Sequence, residues 1–390
     1  MPRLRRAVPW WAVAVVPAAA AVLTGALPRT DAAALAERVG PVLLFVAALT
    51  VVAELCGSAG LFDVATDAAA RASGGRRWLL WLLLVAIAVA STVLLSLDTT
   101  AVLLTPLAIT LARRTRTSPL LLVLTVVALA NTASLLLPVS NLTNLLADHR
   151  FAEQGVGYLG VMWAPALASV VVTVLVLAVR GRRDLRGRFE PGERYVPPDR
   201  ALLVATGATV AVMAVGFVAG LPVWAVALGA AAVLLAAFAV RRRPVPGRAR
   251  DLVPWRMILV VGALFVVVET LHVRGLGDWV LDAAPAGADT GALLGVAGLS
   301  AAVANVVNNL PAYLLLEPVA GEDVRRLAAV LIGTGVGPLL TPWASLATVL
   351  WWRRCRQAMV HVPVRAFVVQ GLWLAPLCVA ASVLALAAVA

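Results

Sequence analysis

Gly333-Thr334-Gly335-Val336-Gly337-Pro338-Leu339-Leu340-Thr341-Pro342-Trp343-Ala344-Ser345-Leu346-Ala347-Thr348 sits inside an apolar stretch, 326–351, that is long enough to cross a bilayer. Its glycines loosen the backbone and its prolines remove helical donors, so no regular helix runs through it. Backbone that leaves helical geometry at membrane depth must be buried in protein or line a wet cavity. The stretch therefore reads as a transmembrane helix interrupted at a site. Three other places carry the same signature. Stretch 117–148 breaks at Pro138-Val139-Ser140-Asn141-Leu142-Thr143-Asn144. Stretch 77–113 turns at Leu97-Asp98-Thr99-Thr100, with Thr105-Pro106 beyond, and stretch 287–320 turns at Asn305-Val306-Val307-Asn308-Asn309-Leu310-Pro311.

The rest of the chain is as apolar as these stretches. Of 390 residues, 62% are hydrophobic and only 13% charged, where soluble domains carry about a quarter charged residues. Runs such as Val8–Leu27, Val156–Val179 and Ala366–Val389 each suffice for a helical crossing. A cytosolic enzyme, a nucleic-acid binder and a secreted disulfide scaffold are excluded. An all-α polytopic membrane protein remains, with the lipid bilayer as partner and no role for nucleic acid. The first run has no small-residue cleavage site and reads as a retained helix.

All 32 basic residues are arginine and the net charge is +12. Stretches 77–113 and 287–320 are too long for single crossings; both read as re-entrant hairpins that enter and leave on one side. With crossings at 8–27, 40–63, 117–148, 157–180, 201–219, 221–240, 255–278, 326–351 and 366–389, and a cytoplasmic N-terminus, 26 arginines fall inside. Six, Arg29, Arg38, Arg150, Arg274, Arg325 and Arg326, fall outside. That bias is the positive-inside rule, and it puts the C-terminus outside the plasma membrane.

Self-comparison exposes a repeat. Leu43-Leu44-Phe45-Val46-Ala47-Ala48-Leu49-Thr50-Val51-Val52-Ala53-Glu54 aligns with Ile258-Leu259-Val260-Val261-Gly262-Ala263-Leu264-Phe265-Val266-Val267-Val268-Glu269. The match continues with Gly60-Leu61-x-Asp63 on Gly275-Leu276-x-Asp278. Pro106 then pairs with Pro311, Ser140 with Ser345 and Thr143 with Thr348. An odd number of crossings separates the copies, so they are expected to be inverted, the build of secondary transporters. Residues 1–180 form the first repeat, 181–200 a cytoplasmic linker and 201–390 the second repeat.

The quoted breaks, above all Val307-Asn308-Asn309-Leu310-Pro311-Ala312 and Gly337–Thr348, resemble those of the arsenite efflux permease family of the ion transporter superfamily. The resemblance runs from about Gly40 to Arg354. It implies export of arsenite and of antimonite, driven by proton antiport or by an arsenite-stimulated ATPase subunit, and it leaves room for an oligomer. The family's motifs fall on Asp98, Thr99, Ser140, Asn141, Thr143, Asn308, Asn309, Thr341, Ser345 and Thr348; Thr100 and Asn305 join them as polar residues of the breaks. The chain has one crossing ahead of the Glu54 helix where its second half has two, a departure from the family pattern.

The chemistry favours a neutral hydroxide. No arginine stands at any break, whereas a carboxylate or sulfate site usually holds a cation. Asn, Ser and Thr both donate to and accept from hydroxyl groups. Proton coupling needs an ionisable group in the membrane, and such residues are rare and functional. Asp98 is the first candidate, with Glu54 and Glu269 second; sodium on unwound carbonyls is an alternative. Glu317 and His272, near outer ends of segments, read as solvated. Cys56, Cys355 and Cys378 are too dispersed for a trithiol site, and no cofactor is expected. His149, His272 and His361 lack metalloenzyme spacing, so an intramembrane enzyme is the weaker reading. Within the superfamily the rivals are silicic acid, a dicarboxylate, or sodium–proton exchange.

Overall fold

The computed structural model describes residues 12–190, 194–246, 252–275 and 282–389, which are helical with no β-strand among them. The helices are α1 (Ala12–Leu23), α2 (Arg29–Ser58), α3 (Leu61–Ala72), α4 (Arg77–Leu95), α5 (Thr105–Arg114), α6 (Pro119–Thr132), α7 (Leu142–Glu153) and α8 (Tyr158–Arg180). After the linker come α9 (Arg200–Val218), α10 (Val223–Val240), α11 (Trp255–Val273), α12 (Thr290–Val307), α13 (Asn309–Leu316), α14 (Val324–Val336), α15 (Leu346–Gln357) and α16 (Val364–Val389). Eight of them, α2, α4, α8, α9, α10, α11, α12 and α16, are long and apolar enough to cross a membrane.

Several boundaries differ from expectation: the helices expected to end at 148 and 351 run on to Glu153 and Gln357, α1 stops at Leu23 rather than 27, and both ends of the second crossing move. The second crossing begins at Arg29, not at 40, because Glu37 and Arg38 are helical; Arg38 faces Glu269 of α11 across 4.0 Å. It ends at Ser58, since Gly60 takes φ +79° and turns the chain. Residues 61–63 then open α3, an amphipathic helix that the sequence reading missed, whose Phe62, Thr66 and Ala69 face the core at helical spacing. Residues 8–11 of the first run, Leu276 and Asp278 of the second repeat, and Arg3, Arg5, Arg6, Arg248 and Arg250 lie outside the described residues.

Both long stretches fold back on themselves. At the base of the first hairpin Arg77 Nη2 donates to Arg116 O at 3.1 Å, joining the start of α4 to the end of α5. At the second base Arg326 donates to Pro285 O at 2.8 Å and to Val319 O at 3.0 Å, joining the residues before α12 to those after α13. Two further bonds wire the hairpins to the interrupted helices. Arg113, at base one, donates to Ala358 O beyond α15 (2.6 Å), and Arg150 of α7 donates to Gly321 O at base two (2.9 Å). Thus α6–break–α7 runs from base one to base two, and α14–break–α15 runs from base two to base one.

Packing partners cross residue 200. α2 lies on α10 and α11, α1 on α11, and α8 on α16, while α12 and α14 form the closest pair within the second half. Asp199 caps α9 through Leu202 N and takes two hydrogen bonds from Arg241 at the end of α10 (2.9 and 3.2 Å). In that loop the Arg241 bonds lead in holding the carboxyl down to about 2. The α12–α14 contact depends on absent side chains: a Cβ at Gly333 would strike Ala297 O and the Ser300 side chain, and one at Gly337 would strike Ala301. Overpacking of this kind costs about 1–3 kcal/mol. Gly333→Ala is therefore expected to lower the melting temperature of the detergent-purified protein by several degrees, while Gly298→Ala, with open space around it, leaves it unchanged.

Candidate functional site

The two hairpin tips share one unusual backbone geometry. Ser96 has φ 89°, ψ 160° and Asn308 has φ 97°, ψ 153°, a region that glycine alone enters freely. Each costs on the order of 1–3 kcal/mol and persists only when its surroundings hold it. Ser96 Oγ accepts from Thr99 N and Asn308 Oδ1 from Leu310 N, both at 3.4 Å, so each tip residue caps the arm that follows. Ser96 had no distinguishing mark in the sequence. Its equivalence to Asn308 shows only in the folded turn, and it displaces the pairing of Pro106 with Pro311. Pro106 stands ten residues past its tip and Pro311 three, and the first arm alone contains a π-helical turn, over Thr100–Leu104.

The breaks match as well. Residues 133–141 separate α6 from α7, and 337–345 separate α14 from α15, nine residues each. Asn141 caps α7 by accepting from Thr143 N (3.4 Å), and Ser345 caps α15 by accepting from Thr348 N (3.1 Å). The equivalent of Ser345 is thus Asn141, one position from the Ser140 that the repeat alignment chose. Ser140 instead donates to Val93 O (3.0 Å), tying break one to the first hairpin.

Asn305 leads the bonds that pin tip two to break two. Asn305 Nδ2 donates to Ala301 O and Gly337 O, both 2.8 Å, and Oδ1 accepts from Leu340 N and Thr341 N, both 3.1 Å. Its amide is saturated. Thr341 Oγ1 donates to Asn305 O (2.8 Å), Asn308 Nδ2 to Trp343 O (2.8 Å) and Asn309 N to Ala344 O (2.8 Å). Thr100 is likewise committed to the first arm, donating to Ser91 Oγ (2.8 Å) and accepting from Thr92 Oγ1 (3.0 Å). The Ser96 and Thr99 hydroxyls bond to each other (3.2 Å), as do those of Ser345 and Thr348 (2.9 Å).

The four segments form one junction. Tip one leans on α15, where Leu97 and Ala101 share an apolar cluster with Ala347 and Trp351. Break one touches α14, and α13 touches α7. Thr100, Ser140, Thr143, Ser345 and Thr348 are inaccessible, while at tip two and break two Val306, Val307 and Trp343 are exposed and Asn308 is half-buried. Buried polar atoms normally have partners. Here Asp98 Oδ1, Asn131 Oδ1, Asn144 Oδ1, Asn141 Nδ2, Thr143 Oγ1 and Trp351 Nε1 have none. They gather on tip one, on break one and its flanks, and on the helix beside tip one. Acceptors and donors are both present; Arg77 Nε, Gln154 Oε1 and Tyr313 Oη are unpaired as well, but at base one, just past α7 and within α13. Asn131 heads the polar run Asn131-Thr132-Ala133-Ser134 that leads into break one, a mark the sequence does offer, while nothing in the sequence separates Trp351 from a packing residue. No side-chain hydrogen bond involves Asn309 among the described residues, although it is buried.

The second-choice carboxylates lie elsewhere. Glu54 is half-buried near the end of α2, and Glu269 faces Arg38 near the end of α11. Glu317, expected to be solvated, is buried at base two with Arg150 at 3.8 Å, because its chain ends the hairpin inside the packed base. Cys56, Cys355 and Cys378 are buried on three different helices.

Comparison with known proteins agrees with the motifs. A family model described as a citrate transporter matches residues 4–350. An arsenical pump membrane protein of Escherichia coli is 28% identical over 325 residues, covering 78% of this chain and 76% of its own. Those of Escherichia coli strain K12 and Yersinia enterocolitica are each 29% identical with the same coverage. The resemblance to arsenite efflux permeases is borne out. The fold is shared with the crystal structure of the Alcanivorax borkumensis YdaH transporter, described as having an unusual topology: TM-score 0.56 at 17% identity, covering 97% of this chain and 96% of that one.

Because removing the Asn305 side chain leaves Leu340 N and Thr341 N without their acceptor, and each such group costs about 1–3 kcal/mol, Asn305→Ala is expected to lower the melting temperature by several degrees. Asn309→Ala breaks no side-chain bond and is expected to melt with the wild type. Paired thermal unfolding in detergent checks both; equal losses would remove the distinction between frame and site.

Proposed function

As the chain belongs to the citrate transporter family, and is therefore a multi-pass membrane transporter and no enzyme, we propose that it exports arsenite, and antimonite with it, as the neutral trihydroxide. The observation that carries the reading is the mixed set of unpaired donors and acceptors at the junction. A trihydroxide offers three groups that each donate and accept, so it complements amide, hydroxyl and indole groups without a counter-charge. Citrate or another carboxylate would bring negative charge to a junction that holds one carboxylate and no arginine, the opposite of what recognition of such anions uses. The name of the arsenical pump relatives supports the same choice.

In this reading the two halves are inverted across the bilayer, with base one cytoplasmic and base two external. The arginine bias supports it, as does the antiparallel run of the interrupted helices between the two bases. Asn309, Asn141, Thr143 and Thr99 face the solute, with Asn131, Asn144 and Trp351. Ser345 and Thr348 release their mutual bond to join them. Asn305, Asn308, Thr341, Thr100 and Ser140 hold the frame. Asp98, whose Oδ1 has no partner, exchanges a proton for the solute. The carboxyl then carries a proton in one direction and is emptied while arsenite crosses in the other. Glu54 and Glu269 remain secondary relays, and an ATPase subunit is a further partner of this reading.

Proteoliposomes reconstituted with the protein should accumulate arsenite, measured by arsenic mass spectrometry, and Asn309→Ala should reduce the rate at least about tenfold without changing reconstitution. Accumulation of citrate but not arsenite would reject the substrate. Asp98→Asn is expected to abolish acceleration by an imposed pH gradient while downhill arsenite exchange continues; an undiminished pH response would clear Asp98 of coupling.

A further inference from the structure

At the end of α8 the chain does not leave the membrane domain but turns back onto base one. Gly181 N donates to Leu177 O and Leu185 N to Gly181 O, and the linker then bonds to the start of the first hairpin. Phe189 N donates to Gly75 O (2.8 Å), Arg77 N to Gly187 O (3.4 Å), and Arg76 pairs with Arg188 as an antiparallel bridge. This fixed corner borders a shallow, open cleft of about 550 Å³ lined by Arg76, Arg182, Arg186 and Arg188, with Trp78, Ala178 and Leu185 as its apolar wall. None of the four guanidinium groups makes a side-chain hydrogen bond or ion pair among the described residues. Asp184, on the same turn, does not line the cleft.

The cleft lies where two apolar ridges end. Trp163, Leu167, Val171, Leu175 and Val179 recur every fourth residue along α8 and are all exposed. Trp78 and Leu82 are exposed one turn apart on α4. The ridge on α8 leads from mid-membrane to Arg182, and tryptophan is enriched at the level of lipid headgroups. Exposed apolar residues are general on the long helices, as at Val204, Val212 and Leu384; what sets this place apart is that they run directly into a cluster of unpaired arginines, so one amphipathic molecule would cover both. We propose that this cleft is a binding site for an anionic phospholipid, its phosphate held by Arg76, Arg182 and Arg186 and its acyl chains laid along α8 and α4. Basic pockets between membrane helices recognise such headgroups, and arginine suits phosphate because its fork donates two parallel bonds. The lipid bridges the linker to base one, so it steadies the hairpin that carries Asp98.

Native mass spectrometry of the delipidated full chain, titrated with phosphatidylglycerol, phosphatidylcholine or inorganic phosphate, tests this without any transported solute. The wild type is expected to hold one phosphatidylglycerol at least about tenfold more tightly than Arg76→Gln/Arg182→Gln/Arg186→Gln, since each arginine at a lipid surface contributes substantially. Phosphatidylcholine should not distinguish the two proteins, and Arg353→Gln/Arg356→Gln should bind as the wild type does. If the triple variant does not purify as a folded protein, Arg182→Gln, an exposed side chain, is compared instead and should still weaken binding. Equal phosphatidylglycerol affinity in wild type and variant would overturn the site. Displacement of the lipid by millimolar phosphate would overturn the lipid assignment in favour of a soluble anion.

Discussion

A helix that stops inside a bilayer exposes backbone donors and acceptors that hydrocarbon cannot satisfy, and every feature of this molecule's centre follows from that constraint. Four helices stop there. Each stop is answered by a side chain at a fixed place: Ser96 and Asn308 at the tips, Asn141 and Ser345 at the breaks. Asn305 goes further and satisfies four backbone groups on two segments at once. The frame is thus assembled from the same residue types that would bind a solute. Saturation is what separates the two roles: a saturated amide holds backbone, and an unsaturated one is free to hold something else.

The wiring between halves gives the centre its symmetry. Each interrupted helix starts at one hairpin base and is hydrogen-bonded at its far end to the other, by Arg113 to Ala358 and by Arg150 to Gly321. The tips therefore cannot move apart without pulling on helices anchored at both ends. Strain at Ser96 and Asn308 is sustained by this bracing, and strained backbone of this kind clusters at functional sites. The buried hydroxyls of Thr100, Ser140, Thr143, Ser345 and Thr348 are reached only when part of the bracing yields.

Much of this was legible in the sequence because the bilayer reduces the choices. Apolar runs gave the crossings of α8, α9, α10 and α16 to within about two residues, and Gly and Pro inside such runs marked both breaks. What was not legible obeys shorter-range physics. The start of α2 was hidden because Glu37 and Arg38 look like loop residues until Glu269 is seen opposite Arg38. The amphipathic α3 was hidden because three buried positions over twelve residues are faint beside a membrane run. The site was legible as four regions but not as individual roles. Asn305 and Asn309 are the same residue four positions apart, and only their hydrogen bonds tell frame from free amide. Asn131 stands in the polar run Asn131-Thr132-Ala133-Ser134 just ahead of break one, a signal that went unread, whereas Trp351 has nothing beside it to set it apart from a packing residue.

The claim under all of this is that uncharged oxygen and nitrogen groups, not thiols, take hold of trivalent arsenic. Arsenic K-edge X-ray absorption on the purified protein loaded with arsenite reads that directly. The account predicts bound arsenic whose nearest neighbours are all oxygen, as in the free trihydroxide. Sulfur among the nearest neighbours, or no arsenic retained by the folded protein, would contradict it.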